Sequence, residues 1–209
     1  MNKEIEIKFR PTQEQTDTLT HWLSQKNIKS KEIKITDYYF DHKTNSLFFL
    51  SPEGFLDTDT SFRLRIIDNT QTLYIKKRVL DTQDNMLHAQ EYSLNINHTK
   101  TQFLDILDFL SVLGYMPKVI INKTRKIYIY KSLEISIDAL ETLGEFIEIE
   151  IISNTKTGHT EQENQDINSK NLIYNFLKEL GFKSILCFTR GYLVMTVNPN
   201  YNFITLANL

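Results

Sequence analysis

The residues best able to do chemistry in this chain stand at alternate positions and carry charge of both signs. Glu4, Glu6 and Lys8 open the series, Arg63 with Arg65 and then Tyr74, Lys76 and Arg78 continue it, and Glu91 leads Ser93 and Asn95. Lys123 with Arg125, Glu134, Ser136 and Asp138, Glu148 with Glu150, and Arg190 with Tyr192 complete it. Side chains two residues apart on an extended chain point to one side, so each group is a charged face on a strand. One such face has an ordinary reading as the watered side of a half-covered sheet. Its return on several strands changes the reading. If the apolar faces meet helices, the charged faces turn away from them and, in a curved sheet, toward one another. Mixed charge so enclosed is costly unless water, partners or ions satisfy it. Arginine offers paired N–H groups to phosphate oxygens and lysine a compact positive charge. Carboxylates suit a hard divalent cation such as Mg²⁺ or Mn²⁺, which shares its oxygen ligands with substrate phosphates. The pattern therefore describes a site for a metal-bound phosphate chain. Its candidate lining is Lys8, Arg63, Arg65, Lys76, Lys123, Arg125 and Arg190 beside Glu4, Glu6, Glu91, Asp138, Glu148 and Glu150.

Strands and helices must hold these residues in place. A strand over 3–10 is followed by Pro11 and a helix over 12–26, with Leu19, Trp22 and Leu23 as its apolar stripe. An extended run covers 33–41, Pro52-Glu53-Gly54 marks a turn, and strands over 61–68 and 71–79 join at Asp68-Asn69-Thr70 as a hairpin. A polar connection, 81–87, leads to a strand over 90–96; a helix spans about 99–113 and stops at Gly114. Past Pro117 a long strand carries Lys123 and Arg125, then strands over 133–138 and 145–151 flank a turn at 139–144. The segment 154–169 is polar and aperiodic and reads as a mobile loop; 172–180 reads as a helix closed by Gly181, and 183–197 as a last strand bearing Arg190 and Tyr192. Eight or nine strands, mostly joined without crossover helices, predict an α+β, mainly β fold: a large antiparallel sheet or barrel with helices packed outside. The expectation is one domain over 1–197 and a C-terminal tail, 198–209, without a usable period. No fixed-length unit repeats, which excludes a solenoid or propeller.

Composition narrows the function. With 24 Lys and Arg against 26 Asp and Glu the net charge is -2, so no global field draws the chain to nucleic acid or an anionic membrane. The single Cys187 excludes an internal disulfide and a Cys-rich zinc site, and its apolar neighbours predict a buried small residue in a reducing compartment. The chain starts in a charged strand without a leader pattern, and no apolar run nears the ~20 residues of a membrane span, so a cytoplasmic location is expected. The Asn97 and Asn122 sequons are then chance. Gly-x-x-x-x-Gly-Lys, Gly-x-Gly-x-x-Gly and His-Glu-x-x-His are absent, His159-Thr160-Glu161 sits in a polar segment, and His21, His42, His88 and His98 have no ligand spacing. The run from Lys118 to Lys131, five basic residues with Tyr128 and Tyr130 between them, has two readings: a strand with a solvated basic face, or a surface for single-stranded nucleic acid.

In order along the chain, Glu4-x-Glu6-x-Lys8, Tyr38-Tyr39-Phe40-Asp41, Arg63-Leu64-Arg65, Leu73-Tyr74-Ile75-Lys76, Lys123-Thr124-Arg125 with Asp138, Leu143 to Glu150, and Arg190-Gly191-Tyr192 resemble the motifs of the CYTH superfamily, the triphosphate tunnel metalloenzymes. The resemblance implies a closed eight-stranded antiparallel barrel with a triphosphate along its axis. It implies Glu4, Glu6, Asp138, Glu148 and Glu150 as the metal side, Lys8, Arg63, Arg65, Lys76, Lys123, Arg125 and Arg190 as the substrate side, and Glu6, Lys8 and Glu148 as the catalytic candidates. The implied cofactor is Mg²⁺ or Mn²⁺. The implied partner is a triphosphate-containing small molecule, with nucleic acid admitted only as an RNA 5′ triphosphate, no membrane, and a homodimer left open. The chain departs from the motifs at Ala89, where an arginine is frequent, at Gly191-Tyr192 in place of Ser-Tyr, and at Lys77-Arg78 in place of Gly-Pro. Leu113-Gly114-Tyr115 and Ile127-Tyr128 are similar to class IV adenylyl cyclases. Members include inorganic, thiamine and RNA triphosphatases and class IV adenylyl cyclases, and a shared fold does not choose among them. Hydrolysis of a triphosphate is the first expectation, since nothing in the sequence specifies adenine. Cyclisation of ATP is the second, and a non-catalytic binder of polyphosphate or RNA 5′ ends the third.

Overall fold

The computed structural model describes the backbone of residues 2–80, 86–96, 103–152, 162–188 and 190–209, and the side chains of 5–78, 90–96, 103–152, 170–188 and 190–209. The elements in order are β1 (Asn2–Glu4), β2 (Glu6–Arg10), α1 (Gln13–Gln25), β3 (Ser30–His42), β4 (Phe49–Leu50), β5 (Leu56–Asp57), β6 (Thr60–Ile67), β7 (Thr70–Leu80) and β8 (Met86–Ile96). They continue with α2 (Phe103–Val112), β9 (Tyr115–Tyr130), β10 (Leu133–Leu140), β11 (Gly144–Ile151), α3 (Gln162–Glu179), β12 (Ser184–Phe188), α4 (Tyr192–Val197) and β13 (Ile204–Asn208). Among the described residues no helix is long and apolar enough to cross a membrane.

Antiparallel pairing joins eleven strands into one sheet, in the order β1-β8-β7-β6-β3-β9-β10-β11-β2-β12-β13, while β4 and β5 form a separate hairpin. The mainly β, antiparallel expectation holds. The sheet is not closed into an eight-stranded barrel: its order runs from β1 at one end to β13 at the other, with β12 and β13 extending it beyond β2. The stretch 2–10 touches the sheet twice: β1 pairs with β8, β2 with β11, and Ile5 between them accepts a hydrogen bond from the Ile151 amide at 3.1 Å.

Alternation decides which face each side chain takes. On β2, Ile7 and Phe9 are buried with Ile147, Ile149, Ile135 and Leu133 under α1 and α3, which supply Leu19, Leu23, Ile173, Phe176 and Leu177. Glu6 and Lys8 face the other way. Helix α1 starts where Thr12 Oγ1 accepts from the Gln15 amide at 3.2 Å and Gln15 Oε1 accepts from the Thr12 amide at 2.9 Å, a reciprocal cap. Trp22 is the packing residue expected of it, edge-on to Tyr130 and Phe176. Helix α2 covers β3 and β6 through Leu110 against Phe40 and Leu64. Between β3 and β9 the register shifts at Tyr39/Phe40, opposite Pro117, which lacks an N–H for the ladder. Lys118 is the extra residue there, and its Nζ lies 3.0 Å from Asp41 Oδ2.

Three expectations change. The last strand ends at Phe188, and Tyr192–Val197 is helix α4, with Tyr192, Leu193, Val194 and Met195 all buried. A short apolar run has no period that separates a buried strand from a buried helix. Helix α3 begins at Gln162, so 162–169 is helical rather than loop, while 153–161 lies outside the described residues. Its first turns carry almost no apolar residues, which left nothing for a hydrophobic period to register. Within the expected tail, β13 pairs with β12 from Ser184↔Asn208 to Phe188↔Ile204.

Candidate functional site

The charged sides of the strands meet around one cavity of about 290 Å³. Lys8, Arg63, Arg65, Lys76, Lys123, Arg125 and Arg190 all line it, with Glu6, Glu91, Glu148 and Glu150. These cations come from β2, β6, β7, β9 and the connection after β12, so the site exists only when distant segments pair correctly. Asp138 lies behind the wall, fully buried, and the side chain of Glu4 lies outside the described residues.

Each cation is held by an acid. Asp138 takes Arg125 on both oxygens at 2.6 Å, Lys123 Nζ at 2.8 Å, and the hydroxyl of Tyr192 at 3.0 Å. Arg125 Nη2 also donates to Glu148 Oε2 at 3.1 Å, and Lys8 Nζ approaches that same oxygen at 3.2 Å. Glu6 lies 3.6 Å from Lys8 and 3.5 Å from Lys76. On the other side Asp37, also buried, accepts from Arg65 Nε at 2.7 Å and Nη2 at 2.8 Å, a bidentate pair. Arg63 donates to the Tyr39 hydroxyl and to Glu91, both at 3.2 Å, and lies over the Tyr74 ring at 4.8 Å.

The electrostatics follow from this crowding. Burial works against the Asp37 carboxylate, yet the hydrogen bond from Arg65 and the charges of Arg63 and Arg65 hold its pKa below the ordinary range. Burial likewise disfavours Glu148, and Arg125, Lys8 and Lys123 outweigh it and keep the group ionised. Lys8 is raised because Glu148 and Glu6 overcome its own burial. Lys123 goes the other way: burial and then the charge of Arg125 push it down to about 7, in spite of Asp138 and Glu148. Burial and the facing carboxylates Glu148 and Asp138 raise the Tyr192 phenol, which stays a donor. Cys187, half-buried, has its thiol pushed up to about 11 by burial, as an inert packing residue would.

Acids also face acids. In the sheet register Glu150 stands opposite Glu6 on one side and Glu134 on the other, and all three line the cavity. Like charges directly opposite are destabilising unless a cation intervenes, so these oxygens fit a hard divalent ion by donor chemistry. Among the described residues, no group of three or more His, Cys, Asp or Glu side chains is drawn together closely enough to hold a metal ion. Asp138 is not among the facing acids, since both its oxygens are taken up by Arg125, Lys123 and Tyr192.

Sequence reasoning missed Asp37, Asp57 and Asp59 and left Glu134 unassigned. Asp37 was findable, being in phase with Ile35 and Tyr39, so an acid had to be buried on β3 and needed a cation. Asp57 and Asp59 lie on and beside the β4–β5 hairpin, where alternation gives no signal. The basic run 118–131 does not form one face: Lys123 and Arg125 line the cavity, Lys118 pairs with Asp41, and Tyr128 and Tyr130 pack against the core.

The family model described as CYTH domain matches residues 2–192. Among curated proteins none matches the sequence. Among solved structures, the protein PH1819 of Pyrococcus horikoshii OT3 is similar with a TM-score of 0.65 and 20% identity, over 94% of this chain and 99% of that one. The Hippeastrum protein HpAC1, described as an adenylyl cyclase candidate with a dominant triphosphatase activity, is similar with a TM-score of 0.61 and 19% identity, over 97% and 98%. An adenylate cyclase candidate of Vibrio parahaemolyticus follows with a TM-score of 0.53 and 17% identity, over 83% and 89%. At such identities the likeness is one of fold.

Proposed function

The chain belongs to the CYTH domain family, and from that premise we propose that it is a divalent-metal-dependent enzyme that hydrolyses a triphosphate held against the charged lining of its sheet. The observation that carries this reading is the convergence of Lys8, Arg63, Arg65, Lys76, Lys123, Arg125 and Arg190 on one cavity that also presents Glu6, Glu148 and Glu150. A phosphate chain exchanges its oxygens for the carboxylates that hold these cations in its absence, and the positions are already set by pairs such as Arg65 with Asp37. Asp138 serves this reading as the anchor that fixes Lys123 and Arg125 from behind. Glu6, Glu148 and Glu150, with Glu4 by the alternation of its strand, are the residues assigned to Mg²⁺ or Mn²⁺. When bound, such an ion polarises a phosphoryl oxygen and offsets the charge of the substrate. Lys8 stands between Glu6 and Glu148 and neutralises charge that develops on the reacting group. Glu148, kept ionised by its neighbours, orients a water through its oxygens and is a poor proton acceptor.

The same reading closes the sheet. It takes β8, β7, β6, β3, β9, β10, β11 and the stretch 2–10 as eight strands around a tunnel, with β12 and β13 as an appendage, and the pairing of 2–10 with β8 through β1 and with β11 through β2 supports this. A reducing cytoplasm suits the free Cys187.

Hydrolysis stands ahead of cyclisation because the aromatic rings of the cavity are committed to cations: Tyr74 lies under both Arg63 and Arg65, and Tyr39 under Arg63. A nucleobase would have to displace them. Incubation with tripolyphosphate, thiamine triphosphate and ATP, with and without Mg²⁺ or Mn²⁺ and with mass detection of products, tests the reading. Metal-dependent phosphate release is expected, and its loss in Glu148→Gln while the variant stays folded. Cyclic AMP as the main product of ATP would overturn the order, and no turnover of any triphosphate would overturn the reading.

A further inference from the structure

One cavity cation stands apart from the set just described. Arg78 follows Tyr74 and Lys76 on the same face of β7, and its partners do not come from the strands that supply Glu6, Asp37, Asp138 and Glu148. Its Nη2 lies 3.0 Å from Asp57 Oδ1 and 2.8 Å from Asp59 Oδ1, and its amide donates to the Asp59 carbonyl at 2.9 Å. The second oxygen of Asp57 takes Arg190 Nε at 2.9 Å. A single carboxylate, 3% exposed, thus pins two guanidinium groups from distant parts of the chain, and both line the cavity.

The pin is rigid. Asn198, the C-cap of α4, grips the backbone of Leu56 twice, accepting from its amide at 2.8 Å and donating to its carbonyl at 2.7 Å. Asp57 is the next residue, and its Oδ1 also accepts from the Thr58 amide at 2.7 Å. Hydrogen bonding is incomplete: Arg78 Nε is buried and has no hydrogen-bond partner among the described residues, and Arg63 is the other cavity arginine with such an atom. Asp59, the second acid on Arg78, is 56% exposed and also lines the cavity. A buried N–H without an acceptor is costly, and at a cavity wall an entering acceptor relieves it. Two preset guanidinium forks match a phosphoryl group.

We infer that Arg78 and Arg190, pinned by Asp57, form a further anion subsite that takes the fourth phosphoryl group of a linear polyphosphate, so that the enzyme selects chains longer than a triphosphate. The inference rests on the triphosphate reading above and narrows it: Lys8, Arg63, Arg65, Lys76, Lys123 and Arg125 hold the first three groups, and Arg190, counted with them there, reaches the fourth. The bland alternative is a salt-bridge staple that fastens the β4–β5 hairpin to the wall. A staple lowers the melting temperature when cut, but has no preference for chain length.

The test is calorimetric titration of the full chain with tripolyphosphate and with tetrapolyphosphate, in chelator so that nothing turns over. The wild type is expected to bind tetrapolyphosphate about tenfold more tightly than tripolyphosphate. Arg78→Gln is expected to weaken tetrapolyphosphate about tenfold more than it weakens tripolyphosphate. Asp59→Asn alters an exposed acid that competes for Arg78, and is expected to strengthen tetrapolyphosphate selectively; it carries the test if Arg78→Gln does not fold. Equal binding of the two ligands by the wild type, or an affinity ratio that survives in the folded variants, overturns the inference and leaves the triphosphate reading standing. Failure of the wild type to hydrolyse tripolyphosphate with Mg²⁺ or Mn²⁺ present removes that reading and the inference with it.

Discussion

At the scale of the residue, Lys123 shows how far the site strains its own charges. It touches Asp138 at 2.8 Å, yet burial and Arg125 bring it from an ordinary 10.5 down to about 7. A lysine so lowered binds its proton more weakly in the folded chain than in the unfolded one. Between about 7 and 10.5 the unfolded state therefore holds more protons, and this group's contribution to stability rises with pH over that window. An anion in the cavity favours the charged lysine. Tripolyphosphate binding at pH 8 is accordingly expected to take up about one proton more in the wild type than in Lys123→Met, read from calorimetry in buffers of different ionisation heat. Identical proton uptake would contradict the placement of Lys123 against the ligand. Such residues were legible in the sequence because period-two alternation puts Lys123 and Arg125 on one face whatever the fold. Their acids were not all legible. Asp138 pairs through strand register, Asp37 looks like one more polar residue in a strand, and Asp57 is placed through its neighbour Leu56, held by the helix cap Asn198, 142 residues on from Leu56.

At the scale of the element, strands with a charged face and an apolar face were readable, and short apolar segments were not. Tyr192–Val197 is helical because all its early side chains are buried among Phe146, Leu140 and Phe203, a tertiary fact. β13 exists because β12 offers it an edge. The corner between α2 and β9 was readable, since Gly114 ends the helix with φ +89, a conformation costly for other residues. A Cβ there would also stand 2.6 Å from His42 Nε2, whose ring lies between the Leu113 carbonyl and the amides of Thr44 and Asn45. Gly114→Ala is therefore expected to destabilise the chain by ~1–3 kcal/mol, a fall of several degrees in melting temperature, while tripolyphosphate affinity stays as in the wild type. A melting temperature that does not move would mean the corner is looser than its geometry.

At the scale of the whole molecule, function turns on where the charged faces point. Helices α1, α2 and α3 cover one side of the sheet, and eight arginines and lysines crowd the other with their acids. An arrangement of that kind is expensive if it does nothing, because each buried ion pair gives up hydration that its partner only partly restores. In the function proposed, a phosphate chain with its metal would take over that internal pairing. The most direct measurement is a crystal structure of the chain grown with tripolyphosphate and Mn²⁺, with the metal located by its anomalous scattering. Phosphate oxygens are expected within hydrogen-bond distance of Lys8, Arg63, Arg65 and Arg125, and manganese against Glu6, Glu148 or Glu150. Tripolyphosphate bound on the outer surface with the cavity ion pairs intact, or manganese at carboxylates elsewhere, would contradict this placement.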